Sequence, residues 1–211
     1  MIEKFKNLEH EKREKIINAA MAEFALRGYE KASTNEIVKK AGISKGLLFH
    51  YFGNKKQLFL FLFDYGAEII AGEIHSKLDR KERRLFAIIK QITKIKMELM
   101  RKYEKLFEFL QAAYMDRSPE IRGEIERRGA EAPGSVMAGL FKNTDVSGFR
   151  RGLDLGKALD IITWTTEGIV RGELNKYRLM NIKPDYNAIF FRCEEFMKLL
   201  EALFYEGGQE K

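Results

Sequence analysis

Apolar residues recur along this chain at helical spacing, and no segment shows the strict alternation of a half-buried strand. Ile17, Ala20, Met21 and Phe24 stand at i, i+3, i+4 and i+7. That stripe predicts a first helix from about Leu8 to Arg27, with Gly28 placed to end it in a left-handed cap. Ser33 caps a second helix, and Glu36, three residues on, is placed as its reciprocal partner in a capping box. Gly42 ends that helix near Ala41. Ser44 caps a third helix over Lys45 to Phe52, Gly53 to Lys55 break it, and a long fourth helix runs from Asn54 to about Ser76.

Beyond Ser76 the boundaries are softer. Helical segments are expected over about 82–101 and 103–116. Ser118-Pro119-Glu120 is a start signal, with a cap, a proline at the first position and an acid in the first turn. Pro133-Gly134 should kink or split that helix, and residues 143–153 read as a loop. Asp154 caps a helix to about Tyr177, and Pro184 opens the last one, to about Tyr205. The expected fold is all-α. An N-terminal three-helix module over 1–55 joins a larger helical body over 56–211, the boundary falling inside the fourth helix.

Composition narrows the picture. The 211 residues are 45% hydrophobic and one-third charged, with a net charge of +7. A basic excess fits a polyanionic partner without requiring one. The single cysteine, Cys193, excludes an internal disulfide and a cysteine-rich zinc site and fits a reducing cytoplasm. The polar, charged N-terminus does not read as a signal peptide. The longest apolar run, Leu58 to Phe63, stops at Asp64, far short of the roughly 20 residues that span a bilayer.

The charges are unevenly placed. Between Glu36 and Asp64 lie five lysines and no Asp or Glu across 27 residues. This stretch contains the expected second helix, a glycine turn and the short third helix, which together make a helix-turn-helix. The second helix of such a pair enters the major groove of DNA, where a carboxylate would be repelled by the phosphates. The third helix carries Leu47, not an acid, at its third position, leaving its N-terminal N–H groups open to phosphate.

The segment "TNEIVKKAGISKGLLFHYFGNKKQLF" resembles the DNA-binding segment of the TetR family of bacterial transcriptional regulators. Ile37, Ala41, Gly42, Ile43, Ser44, Gly46, Phe49, Tyr51, Phe52, Lys55, Leu58 and Phe59 are in register with the family pattern, while Val38 and Ala32 depart from it. The likeness covers about residues 12–60. It implies that Ser33 and Thr34 meet backbone phosphates and that Ser44 caps the recognition helix. It implies that Lys45 reaches a base edge or phosphate and that Gly46 allows close approach. Leu47 and Phe49 would offer apolar contact to thymine methyls, His50 and Tyr51 would donate to phosphates or bases, and Lys55 would bind phosphate. Phe49 is equally placed for the core, and His50 for a plain solvated position.

The resemblance also implies a homodimer on a pseudo-palindromic double-stranded operator, with an unidentified small-molecule effector bound in the body. The apolar stripe Ile189, Phe190, Cys193, Phe196, Met197, Leu200, Leu203 and Phe204, with Ala158, Ile161, Ile162, Thr165 and Ile169 on the preceding helix, suits a dimer face or the chain's own core. Candidate pocket residues are Tyr103, Phe107, Tyr114, Met137, Phe141, Trp164 and Glu167. No catalytic residue, metal or cofactor is expected, since His10, His50 and His75 are scattered and no nucleophile or phosphate-loop motif appears. The expectation is a cytoplasmic regulator, not an enzyme or membrane protein. It would be a repressor released by its ligand, with an activator as the alternative that the sequence does not exclude.

Overall fold

The computed structural model describes residues 2–129 and 144–206. Among them every regular element is helical. These are α1 (Ile2–Lys6), α2 (His10–Lys31), α3 (Thr34–Ala41), α4 (Lys45–Phe52), α5 (Lys55–Lys77), α6 (Leu85–Lys102), α7 (Glu104–Met115), α8 (122–129 as described), α9 (Leu155–Leu179) and α10 (Tyr186–Phe204). None of them is long and apolar enough to cross a membrane. Pro133, Gly134, Met137 and Phe141 lie outside the described residues, so their expected roles are not addressed by this structure.

The chain forms two compact units, divided within α5 between Gly72 and Glu73. The first holds 2–72 and 102–129 of the described residues, and the second holds 73–101 and 144–206. The sequence placed its boundary near the start of α5. Instead α5 runs on through the first unit, and α7 joins it there.

The first unit is built round α5. Leu58, Phe59, Leu60, Leu62 and Phe63 are all buried. Phe59 meets Phe24, Tyr29 and Phe109, their ring centroids 4.9–5.4 Å away. On another side, Phe61 meets Phe5 at 5.4 Å and Phe52 at 5.2 Å. The short α1 was not anticipated. Its Phe5 is fully buried and also reaches Tyr51, at 5.7 Å.

Two N-terminal details differ from expectation. Gly28 does have positive φ (68°), but its ψ of 176° is extended, so it breaks α2 and the chain makes a further turn to Lys31. The reciprocal half of the capping box is also absent. Ser33 Oγ accepts the Glu36 N–H at 3.4 Å, but the Ser33 N–H donates to Glu23 Oε1 at 3.2 Å. Glu23 is 4% exposed, and its other oxygen takes the Lys40 ammonium at 3.2 Å. A buried carboxylate on α2 thus satisfies both ends of α3.

In the second unit α9 and α10 pack together, with Leu85, Phe86 and Ile89 of α6 and Phe149 of the preceding loop closing the core. The loop docks on the end of α10, where Arg150 donates to the Phe204 carbonyl and Glu206 to that of Gly148, each at 2.9 Å. Asp154 caps α9 as expected, accepting the Lys157 N–H at 3.1 Å. The last helix is capped by Asp185, not opened by Pro184. The Asp185 carboxylate accepts from Asn187 and Ala188 at 3.0 and 3.1 Å. The α10 stripe divides. Ile189, Cys193, Met197, Leu200 and Phe204 are buried in the chain's own core, and burial pushes the Cys193 thiol up to about 11. Phe191, Phe196, Leu199 and Leu203 face outward, as do Ile161 and Trp164 of α9.

Replacing Glu23 by Ala should leave the Ser33 N–H without its acceptor and the Lys40 ammonium without its partner. Urea unfolding followed by circular dichroism should show a loss of about 1–3 kcal/mol. An unchanged midpoint would mean that water replaces the carboxylate at no cost.

Candidate nucleic-acid interface

The turn between α3 and α4 is set by backbone chemistry. Gly42 is left-handed (φ 67°, ψ 35°). Its N–H donates to the Lys39 carbonyl at 3.4 Å, and the Ile43 N–H donates to that of Val38 at 3.1 Å. This pair of bonds is the Schellman motif, which glycine enters without a Cβ clash. Ser44 then starts α4, its Oγ accepting the Leu47 N–H at 3.1 Å. Gly53 (φ 75°) closes α4, and Asn54 caps α5 through the Gln57 N–H at 2.9 Å.

This turn fixes which side of α4 faces inward. Ile37, Leu48 and Phe52 are buried, and Val38, Ile43 and Leu47 pack partly against them. Ser44, Lys45, Gly46 and His50 remain exposed. The Lys45 ammonium lies 5.9 Å from the centre of the half-buried Phe49 ring. Nothing lies within 4 Å of where a Cβ on Gly46 would sit, so the chain itself does not need glycine there.

Other residues stand differently from the sequence reading. Tyr51 was expected on the open face but is only 6% exposed, its ring packed against Phe5, Phe52 and His50. The aromatic core claims it because α1 covers that side of α4. Lys55 donates to the Glu30 carbonyl at 3.1 Å and lies 4.7 Å from the centre of the Tyr29 ring. Burial, followed by the neighbouring Glu120 carboxylate, holds the Tyr29 phenol well above its ordinary range. Thr34 sits half-buried beside the Ser33 cap.

The expected pocket residues divide between the compact units. Tyr103, Phe107 and Tyr114 belong to the first, and Trp164 and Glu167 to the second. Tyr114 and Glu167 are exposed. Trp164 is 67% exposed on the outward face of α9, so the expectation that it lines a cavity is corrected. Its spacing from Glu167 was helical, but the stripe buried against α10 runs through Ala158 and Ile162 instead. Lys96, not among the sequence candidates, is a half-buried cation of this unit. Desolvation lowers its pKa and Glu167 opposes that shift. A lysine among Ile92, Thr93 and Met97 on an otherwise apolar helix face was the available sign.

A chain whose described elements are all helical, and whose N-terminal unit presents the second helix of a helix-turn-helix to solvent, has the architecture of a helix-turn-helix regulator. Residues 16–62 match the bacterial regulatory proteins of the tetR family. The chain is 36% identical over 77 residues to the uncharacterized HTH-type transcriptional regulator YxaF of Bacillus subtilis, covering 36% of this chain and 40% of that one. The match thus spans about two-fifths of that relative. A TetR family regulator from Chloroflexus aurantiacus has the same fold, with a TM-score of 0.66 at 23% identity over 97% of this chain and 98% of that one. So does SmeT, the repressor of the Stenotrophomonas maltophilia multidrug efflux pump SmeDEF, with a TM-score of 0.68 at 16% identity over 97% and 94%. Residues 16–62 thus carry the DNA-binding segment of the tetR family, the described residues share the fold of TetR family regulators, and the proteins matched are transcriptional regulators.

Replacing Phe5 by Ala should detach α1 and uncover Tyr51, Phe52 and Phe61. Thermal or urea unfolding should show a loss of about 3 kcal/mol, and amide exchange should quicken in α4. Protection unchanged in α4 would show that α1 does not brace the helix.

Proposed function

We propose that this protein is a dimeric cytoplasmic repressor that reads a pseudo-palindromic operator through α4 and leaves it when a small molecule binds the helical body. The observation that carries this reading is the exposed first turn of α4. Ser44, Lys45 and Gly46 meet solvent within a 27-residue stretch without a carboxylate. At the N-terminus of a recognition helix these positions face base edges and phosphates. Lys45 reads a base edge or phosphate, Gly46 lets the backbone close on the duplex, and Leu47 and Phe49 offer apolar contact to thymine methyls. Ser33, Thr34, Ser44 and His50 bind the phosphate backbone. Tyr51 contributes through its hydroxyl alone, because its ring is buried. Lys55 has protein partners of its own and is a lesser contact.

The outward faces of α9 and α10 support pairing. Phe191, Leu199 and Leu203 stand at i, i+8 and i+12 on α10, each more than half exposed. Together with Ile161 and Trp164 they make an apolar surface of the kind that marks an interface. Twofold pairing through it would present two α4 helices to two half-sites about one helical turn, or a multiple, apart. The ligand response draws support from SmeT, whose fold is shared and which has been seen in complex with triclosan.

Gly46→Ala separates DNA reading from folding. Alanine favours a helix over glycine by about 0.5–1 kcal/mol, so the melting temperature should hold or rise. Affinity for a duplex selected from a random pool by the unaltered chain should fall about tenfold, or about 1.4 kcal/mol. Retained affinity would remove α4 from the interface.

Pairing is tested by Leu199→Glu combined with Leu203→Glu. Both side chains are exposed in the single chain, so its fold should persist while sedimentation shows a monomer. Leu200 is unsuitable for this purpose because it is buried in its own core. A dimer that survives the double substitution would place the interface elsewhere.

A further inference from the structure

A carboxylate is electrostatically misplaced at a helix C-terminus, where the backbone dipole is already negative. Asp116 occupies that position, as the C-cap of α7. Its Oδ2 accepts the Tyr29 N–H at 2.6 Å, and its Oδ1 accepts the Ser118 N–H at 2.9 Å. The first contact crosses 87 residues of sequence and lands on the break in α2. A Cβ on Gly28 would come within 3.2 Å of the same Oδ2, so glycine clears the approach. The second contact holds Ser118, 5% exposed, whose carbonyl accepts from Ile121 and Arg122 at the start of α8. One side chain therefore joins the end of α7, the start of α8 and the break before α3.

Tyr29 extends this link. It is 2% exposed, with its ring against Phe59 and its hydroxyl facing Glu120. The Lys55 ammonium rests on that ring and donates to the adjacent Glu30 carbonyl. Lys55 is the first residue of α5, just after the Gly53 turn that closes α4. The DNA-facing pair is thus held on both sides, before α3 through the Tyr29 backbone and after α4 through the Tyr29 ring.

We propose that Asp116 is a positioning residue for DNA reading, its carboxylate fixing the α2 break and, through Tyr29, the Lys55 end of α5. This rests on the reading of α3 and α4 as the DNA-binding pair. A charge-assisted bond of 2.6 Å is lost when its partners separate by about 1 Å. A small shift of the C-terminal end of α7 therefore releases Tyr29 and, with it, the seating of Lys55. Affinity for DNA then follows the position of α7, although Asp116 touches no DNA.

The test uses the full chain and a fluorescent duplex selected from a random pool by the unaltered protein. Asp116→Asn removes the charge and leaves one accepting oxygen for two N–H donors. Affinity should fall about tenfold, within the usual range of coupling between sites. The slope of affinity against salt should fall by at most about one, the share of a single Lys55 phosphate contact. The Tyr29 amide should exchange faster while α5 stays protected. Lys55→Met should also weaken binding, and the double variant should lose less than the product of the single losses, since the two groups act through one ring. Unchanged affinity in Asp116→Asn, or losses that multiply in full, would overturn the proposal. Should Asp116→Asn fold poorly, Glu120→Gln in the same cycle with Lys55→Met gives the same discrimination. Failure of the unaltered chain to select any duplex would instead overturn the DNA-binding reading, and the positioning role with it.

Discussion

The first unit depends on a stretch of α5 that is apolar all the way round. Successive residues of a helix point about 100° apart, so Leu58 to Phe63 face several directions at once. Phe59 turns to the rings of α2 and α7, Phe61 to those of α1 and α4, and Phe63 to Tyr114. Burying each such side chain contributes about 1.5–3 kcal/mol. The surface of α4 has a fixed direction because Leu48 and Phe52 are committed to this core. What α4 leaves outside is therefore decided by what α5 takes inside.

That arrangement explains which features could be read from the sequence. Caps and glycine turns act over three or four residues. Ser44, Gly42 and Asp154 accordingly do what their local sequence implies. The capping box at Ser33 fails for a non-local reason. Glu23 lies ten residues back on another helix, and its burial there outcompetes the local Glu36. The ring of Tyr51 is buried by Phe5, on a helix that no periodic pattern announced. Lys55 is engaged by Tyr29, 26 residues earlier in the chain. Helix positions were legible because they are encoded locally. Side-chain partners were less so, because they are chosen by packing between distant segments.

The second unit shows the same limit differently. An apolar stripe on one helix cannot say how much of its width its own chain will cover. On α10 the core takes the line through Ile189, Cys193, Met197, Leu200 and Phe204. Ion pairs flank it: Glu194 with Lys90 of α6, and Arg192 with Glu173 of α9 at 3.3 Å. The remaining apolar width, from Phe191 to Leu203, is left outward. Trp164 on α9 follows the same division, which is why spacing alone suggested a pocket wall where there is an outer face.

Carboxylates are absent from the 27 residues between Glu36 and Asp64, which suits a face turned toward a polyanion. Around that stretch Glu30 and Glu36 are exposed, while two other carboxylates accept backbone N–H groups. Glu23 accepts at the start of α3, and Asp116 accepts at the break before it. Both anions do their work at backbone positions that lack a helical partner, and both lie on elements other than α3 and α4. Their negative charge is absorbed by N–H donors and, for Glu23, by Lys40. The module can thus be anchored by anions while the face it presents remains without one.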